Sequence, residues 1–454
     1  MLRVFDTAQA QVVPFEPKEP GKVSMYVCGP TVYGGAHIGH GRFALVWDVL
    51  RRYLAWSGFE VTFVSNVTDV DDKIIARANR EGRAWDDIAR GCEAEWYAAL
   101  DALGVARPDR APRASEYIDR MLDLIADLEA KGVVYETSDG VYLEVDRVPG
   151  YGLLAPGPVD ALLAGARVDV VEEKRSPRDF ALWKEAKPGE PMWDSPWGPG
   201  RPGWHTECVV MSLDLLGEDF DIHTGGQDLR FPHHENERAQ AVALGKQFAR
   251  FWMHNGMVET GGEKMSRSLG NITDLAEAIE WADPRAFRLL VLQSHYRVPM
   301  VVNRDTVAQA AGALARLGGF IRRAAEEGVD PGAEADSGTV DRFRDRMDDD
   351  LDTPGATAVL FDAVRGANAA LDGGDRTTAA ALAAAVREMT AAVGLQLRGE
   401  TAAEIEPEAA ELARRRDAAR AVRDFATSDA LRTELIELGY EVMDGPDGTR
   451  LRRR

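Results

Sequence analysis

Val23-Ser24-Met25-Tyr26-Val27-Cys28-Gly29-Pro30-Thr31-Val32-Tyr33-Gly34-Gly35-Ala36-His37-Ile38-Gly39-His40-Gly41-Arg42 begins as an apolar run and ends at a helix start. Val23 to Val27 reads as a buried strand. From Gly41 on, Phe43, Val46, Trp47, Leu50, Tyr53 and Leu54 recur at three- and four-residue steps and mark one buried helix face. A glycine-rich turn between strand and helix seats phosphate: backbone N–H groups and the positive helix end favour an anion, and small residues let it come close. His37 and His40 would donate to a phosphoryl oxygen as charge develops there, although two histidines beside a turn also have purely structural uses. Strand Phe59 to Val64 and a helix from Val70 continue the pattern as β-α-β-α, which predicts a parallel sheet with ligands at the carboxyl ends of its strands.

Cys28 closes the first strand, Cys208 opens a helical stretch running to Leu216, and His233 and Glu237 stand four apart in Phe231 to Gln240. Residues four apart share a helix face, so an imidazole and a carboxylate can converge. Thiolate, imidazole and carboxylate together suit zinc at a catalytic rather than a closed structural site. No CxxC framework is present, and the same residues also read as two buried small hydrophobes and a solvated helix face. Downstream, Glu263-Lys264-Met265-Ser266-Arg267-Ser268-Leu269-Gly270-Asn271, flanked by glycines, carries two cations and two hydroxyls. Such a loop can fold over a triphosphate and neutralise a leaving pyrophosphate, or simply be a solvated basic loop.

Taken in this order, the stretches resemble the bacterial cysteinyl-tRNA synthetases of class I. The HIGH motif stands as His37-Ile38-Gly39-His40, and the KMSKS motif as Lys264-Met265-Ser266-Arg267-Ser268 with arginine in place of the usual lysine. Asn66 to Lys73, Trp204 to Cys208, Phe231 to Gln240, Met347 to Pro354 and Tyr440 to Arg454 carry the likeness through nearly the whole chain. The resemblance implies an α/β Rossmann-like class I synthetase catalytic domain with a connective insertion, followed by an α-helical bundle and a small C-terminal anticodon-binding domain. It also implies one zinc per chain on Cys28, Cys208, His233 and Glu237, holding the substrate thiolate. Thr68 and Trp204 would line the cysteine pocket. His37, His40, Lys264 and Arg267 would be catalytic, and ATP with Mg²⁺ would lie on Gly39, His40, Gly226, Asp228, Lys264 and Arg267. Asp228 could instead cap the helix that follows. The partners implied are L-cysteine, ATP and tRNA(Cys), and the chain is expected to act as a monomer. An arginine fork does not replace an ammonium in every geometry, so the closed state of the second loop is expected to differ in detail.

The implied domains are 1–116 and 205–255 for the catalytic fold, 117–204 for the insertion and 256–305 for a stem-contact region bearing the second motif. Positions 306–400 form the bundle and 401–454 the anticodon end. Val141 to Val145 reads as a strand of the insertion; Thr306 to Ala325 and Thr353 to Ala370 read as bundle helices; Asp429 to Leu438 and a hairpin through Gly445-Pro446-Asp447-Gly448 close the chain. At 454 residues two to four domains are expected. Nothing predicts a membrane span or a secretory signal, and three cysteines, with Cys92 as packing, suit a reducing cytoplasm. A net charge of −21 argues against nucleic acid, so tRNA enters from the resemblance. Arg414, Arg415, Arg416, Arg420, Arg423, Arg450, Arg452, Arg453 and Arg454 offer a local basic field, which a solvated helix face explains equally for the first group. Two rivals are a related ligase that hands cysteine to an amino-sugar and a non-catalytic RNA- or zinc-binding module.

Overall fold

The computed structural model describes residues 1–164, 173–260, 263–264, 273–397, 407–422, 424–445 and 448–453. Its centre is a four-stranded sheet in the order Ala249–Asn255, Phe220–Gly226, Lys22–Val27, Glu60–Ser65, parallel throughout. Parallel strands covered on both faces need apolar side chains on both, and Met25, Tyr26, Phe220, Ile222 and Met253 are all fully buried. The chain runs out from Lys22–Val27 to Glu60–Ser65 on one side and reaches Phe220–Gly226 on the other. Sheet order therefore reverses beside Lys22–Val27, and a crevice opens at the strand ends there, between Cys28 and Gly226.

Element boundaries differ from the expectations for local reasons. The helix expected from Gly41 spans Ile38–Trp56, because the His37 amide donates to His40 Nδ1 (3.2 Å) and starts the first turn early. The helix expected from Val70 is Asp72–Glu81, since the Asp71 carboxylate accepts from the Lys73 amide and caps it. Cys208 does not open its helix: Trp204–Leu216 starts directly after Gly203, placing the cysteine one turn in. Before Glu235–Ala243, Arg230–His234 forms a single wide π turn with Phe231 extended inside it. Val141 to Val145 stays a strand only over Gly140–Leu143 and then tightens into a 3₁₀ turn.

The insertion is an antiparallel sheet of Val134–Thr137, Gly140–Leu143, Phe180–Glu185 and Gly200–Pro202, backed by the helix Ile118–Ala130. Its last strand feeds straight into Trp204. The bundle helices Pro284–Leu292, Arg304–Glu326, Ser337–Asp348, Thr353–Asp372 and Arg376–Ala392 share one continuous core with the helix Ile38–Trp56, which passes positions 255 and 305 without a break. A buried ion pair, Arg288 Nη1 to Asp48 Oδ2 at 2.6 Å, joins the two. Beyond 407 a small separate core of Ala409, Leu412, Leu431, Leu435, Tyr440 and Val442 unites two helices and the hairpin Tyr440–Gly445 with Gly448–Arg453. Arg414 and Arg415 are exposed there, but Arg416 is buried and donates to Thr449 Oγ1 (2.6 Å); it supports the hairpin rather than forming part of a basic surface. Arg423 and Arg454 lie outside the described residues. Among the described residues no helix is long and apolar enough to cross a membrane.

Candidate active site

A cleft of about 370 Å³ opens where the sheet order reverses, a size suited to a nucleotide or amino acid. Its lining draws Cys28 to Thr31, Tyr33, His37, Gly39, His40, Lys73 and Trp96 from one part of the chain and Trp204, Gly226, Asp228 and Asn255 to Val258 from another. His37 and His40 stack face to face, ring centroids 3.7 Å apart, and His40 meets the edge of Trp96. Both imidazoles and the Gly39 backbone thus stand at the positive end of the helix Ile38–Trp56.

Cys28, Cys208, His233 and Glu237, drawn from three remote stretches, bring one ligand atom each within 4.8 Å of the others. Cys28 Sγ is 3.4 Å from Glu237 Oε1, Cys208 Sγ 3.7 Å from His233 Nε2, and His233 Nε2 3.0 Å from Glu237 Oε1. Ligands about 2.0–2.3 Å from a tetrahedral ion stand roughly 3.3–3.8 Å apart, so this donor set fits a soft divalent metal. All four are buried, which excludes the solvated-face reading of His233 and Glu237. Burial would lower His233, but Glu237 and Cys208 hold its imidazolium up at about 10. Burial would raise the Cys208 thiol, yet hydrogen bonds from Cys28 and His233 leave it at about 6. Glu237 is held well below the usual carboxylate range against its burial, chiefly by His223 and His233, while burial pushes the Cys28 thiol up. Such a set carries protons that an arriving cation displaces.

The residues that support these ligands were not read from the sequence. His205 Nδ1 lies 2.9 Å from His233 Nδ1, His223 Nε2 is 2.7 Å from Glu237 Oε2, and His234 Nδ1 reaches His254 Nε2 at 2.8 Å. Partners of this kind fix the tautomer and direction of a metal ligand. The signal was compositional: five of eight histidines, 205, 223, 233, 234 and 254, fall within 50 residues of chain. Asn66 was also missed as a support; its side-chain oxygen accepts from the Gly29 amide at 2.8 Å, and a Cβ on Gly29 would lie 1.7 Å from the Asn66 carbonyl. Glycine is required there to hold Cys28 against the neighbouring strand end.

Trp204 stacks on His233, centroids 3.9 Å apart, and lines the cleft. Thr68 does not line it: buried, it donates to Glu207 Oε2 at 2.8 Å. Gly226 and Asp228 both line the cleft, and a Cβ on Gly226 would collide with Asp228 Oδ1 at 2.4 Å. Asp228 caps no helix, since the turn after it begins at Leu229 without a side-chain cap. Lys264 lies on the short strand Glu263–Lys264, paired to Val258–Thr260; Arg267 lies outside the described residues. Further along, the Leu275 amide donates to the Ala36 carbonyl and the Ile38 amide to the Thr273 carbonyl, so main-chain bonds tie the first motif to the chain at 273–275. Gly41 permits this approach: a Cβ would sit 2.6 Å from Leu275 Cδ1 and 3.3 Å from Phe287 Cε1. The Gly41→Ala protein is expected to lose about 1–3 kcal/mol in denaturant unfolding, the usual penalty for overpacking; unchanged stability would mean that Leu275 yields freely. Cys92 packs against Ile74, Ala78 and Ile88, away from the cleft, as expected.

Residues 14–312 match the family model described as tRNA synthetases class I (C) catalytic domain, and residues 342–398 match the DALR domain. The chain is 44% identical over 463 residues to the cysteine--tRNA ligase of Caldicellulosiruptor saccharolyticus, and 45% over 462 residues to that of Halorhodospira halophila, covering 100% of both chains in each case. Among solved structures, Mycobacterium tuberculosis methionyl-tRNA synthetase bound by methionyl-adenylate is similar with a TM-score of 0.63 at 15% identity, over 86% of this chain and 93% of that one. An Agrobacterium radiobacter LeuRS–tRNA–LeuAMS complex gives 0.64 at 11%, over 84% and 85%. These structural likenesses concern the fold.

Proposed function

The chain belongs to the class I cysteinyl-tRNA synthetase family, and from that premise we propose that it activates L-cysteine with ATP and transfers it to the 3′ end of tRNA(Cys). The observation that carries the reading is the convergence of two cysteines, a histidine and a glutamate at a cleft that Cys28 lines together with the stacked motif histidines.

In the first step a carboxylate oxygen of cysteine attacks the α-phosphorus of ATP. A new P–O bond forms, the bond from the α-phosphorus to the α,β-bridging oxygen breaks, and pyrophosphate leaves with the electron pair. In the second, a terminal ribose hydroxyl of the tRNA attacks the acyl carbon, loses its proton and displaces AMP. No covalent enzyme intermediate is needed; catalysis is positioning and charge stabilisation. His37, His40 and the Gly39 backbone meet the reacting phosphate, Lys264 and Arg267 meet the departing pyrophosphate, and Gly226 and Asp228 take the nucleoside side. Mg²⁺ accompanies ATP. Cys28, Cys208, His233 and Glu237 would hold one zinc ion, which when bound supplies an acceptor for a thiolate and a poor one for a hydroxyl. Trp204, stacked on His233, would close the pocket over the amino acid. Thr68 would act from behind it, through Glu207.

A site built around one specific polar contact discriminates by about 10⁴ or more, against about 10² for an apolar pocket, so serine is refused without a separate editing domain. We place the enzyme in the cytoplasm, as a monomer, with positions 401–454 at the anticodon. The test is ATP–pyrophosphate exchange with cysteine and with serine, followed by acyl transfer to tRNA or to an amino-sugar. Exchange with cysteine alone and transfer to tRNA alone are expected. Transfer to the amino-sugar would favour the related ligase, and no exchange would favour a binding module.

A further inference from the structure

We propose that Arg42 is the positioning residue that sets the nucleotide side of the cleft, an inference that rests on the ATP-activating reading above. Two residues beyond His40 in the same helix, Arg42 is 1% exposed, and the partners of its guanidinium among the described residues are main-chain carbonyls. An unpaired buried charge is costly unless dipoles surround it. Here Nη1 donates to the carbonyls of Gly256 (2.9 Å) and Met257 (2.8 Å). Nη2 donates to those of His295 (3.3 Å), Tyr296 (3.1 Å) and Val298 (2.5 Å).

These five carbonyls belong to two segments that cross at close range. The Gly256 amide donates to the Tyr296 carbonyl at 2.8 Å and the Met300 amide to the Met257 carbonyl at 3.0 Å, and a Cβ on Gly256 would lie 2.4 Å from the Val298 carbonyl. Gly256, Met257 and Val258 line the same cleft as Gly39 and His40, and the strand Val258–Thr260 carries the partner strand of Lys264. One guanidinium thus fixes the distance between the first motif and the wall that leads to the second. The two terminal nitrogens of one planar fork, each turned to its own segment, do this for both at once; a single ammonium does not reproduce that geometry.

The crossing is held from the bundle side as well. Asp350 accepts from the Tyr296 hydroxyl (2.8 Å), from Arg297 Nε (2.7 Å) and from the Phe5 amide (2.7 Å). Asp350 and Leu351 have φ of +54° and +55°, a left-handed pair of non-glycine residues that persists only where neighbours over-determine it. Arg42 therefore grips the main chain of 295–298 while Asp350 grips its side chains.

The experiment uses the full chain as Arg42→Lys and Asp350→Asn. Equilibrium dialysis with a non-hydrolysable ATP analogue reads the cleft whether or not cysteine is activated, so the proposal can fail separately from the assigned reaction. Exchange kinetics then vary ATP and cysteine in turn, at matched active-site titre. For Arg42→Lys the Kd of the analogue and the KM for ATP should rise roughly 10- to 100-fold, the scale of a misplacement near 1 Å, while the KM for cysteine stays constant. Asp350→Asn should move the same constants in the same direction by a smaller factor. An unchanged Kd for ATP analogue in folded Arg42→Lys protein would overturn the proposal, and so would a cysteine KM rising in step with that of ATP. If Arg42→Lys does not fold, Asp350→Asn decides: an unaltered nucleotide Kd refutes the proposal.

Discussion

The Cys208→Ser protein is expected to purify without stoichiometric metal and to lose about 100-fold or more of its cysteine-dependent exchange, since a hard hydroxyl replaces a soft thiolate in a set of four. Cys208 is 1% exposed and stands 3.7 Å from His233 Nε2, so serine fits the space without repacking and the change isolates the chemistry of one atom. Metal content by atomic spectroscopy is the primary measurement, with exchange as the second. Cys92→Ser, altered in a different core, should keep its metal. Full zinc occupancy in Cys208→Ser would remove that residue from the ligand set, and zinc-free wild-type protein that still charges cysteine selectively would remove the metal from the account of specificity.

His40→Ala should lower the exchange rate at least about 100-fold, the loss that follows when a donor to developing charge is removed. The KM for cysteine, which the proposed function assigns to Cys28 and Trp204, should stay within a small factor. His40 has a second duty: its Nδ1 accepts from the His37 amide and its ring stacks on His37. His40→Asn, which retains an acceptor for that amide, separates the two. Equal thermal stability of the asparagine and parent proteins with a rate still depressed identifies the lost donor; a parent-like rate would make His40 a helix-starting residue only.

What the sequence made legible follows from distance along the chain. The strand Lys22–Val27, the phosphate turn and the helix Ile38–Trp56 are consecutive, so alternation and 3.6-residue spacing sufficed to place them. Caps moved the starts by two to four residues, since Asp71, His37 and Gly203 act through hydrogen bonds that periodicity does not register. Only His233 and Glu237 were linked by spacing. Cys28 and Cys208 joined them through resemblance to a family, because 179 residues of chain, including the insertion, lie between the two thiols. The supporting imidazoles escaped notice because their partners are likewise contributed by different elements. Arg42 and Arg416 were misjudged or passed over for a simpler reason: arginine is expected at the surface, and neither residue is there.

The separate small core beyond position 407 has a consequence for descent. A lineage could exchange or discard that final module while leaving the catalytic domain folded, because among the described residues its apolar core is separate from the main one. A cut near 305 has no such freedom, since it would strip the motif helix of the layer it is packed on. Novelty in acyl acceptor is therefore open to this architecture at its far end, whereas novelty in activation has to arise inside a body that resists division.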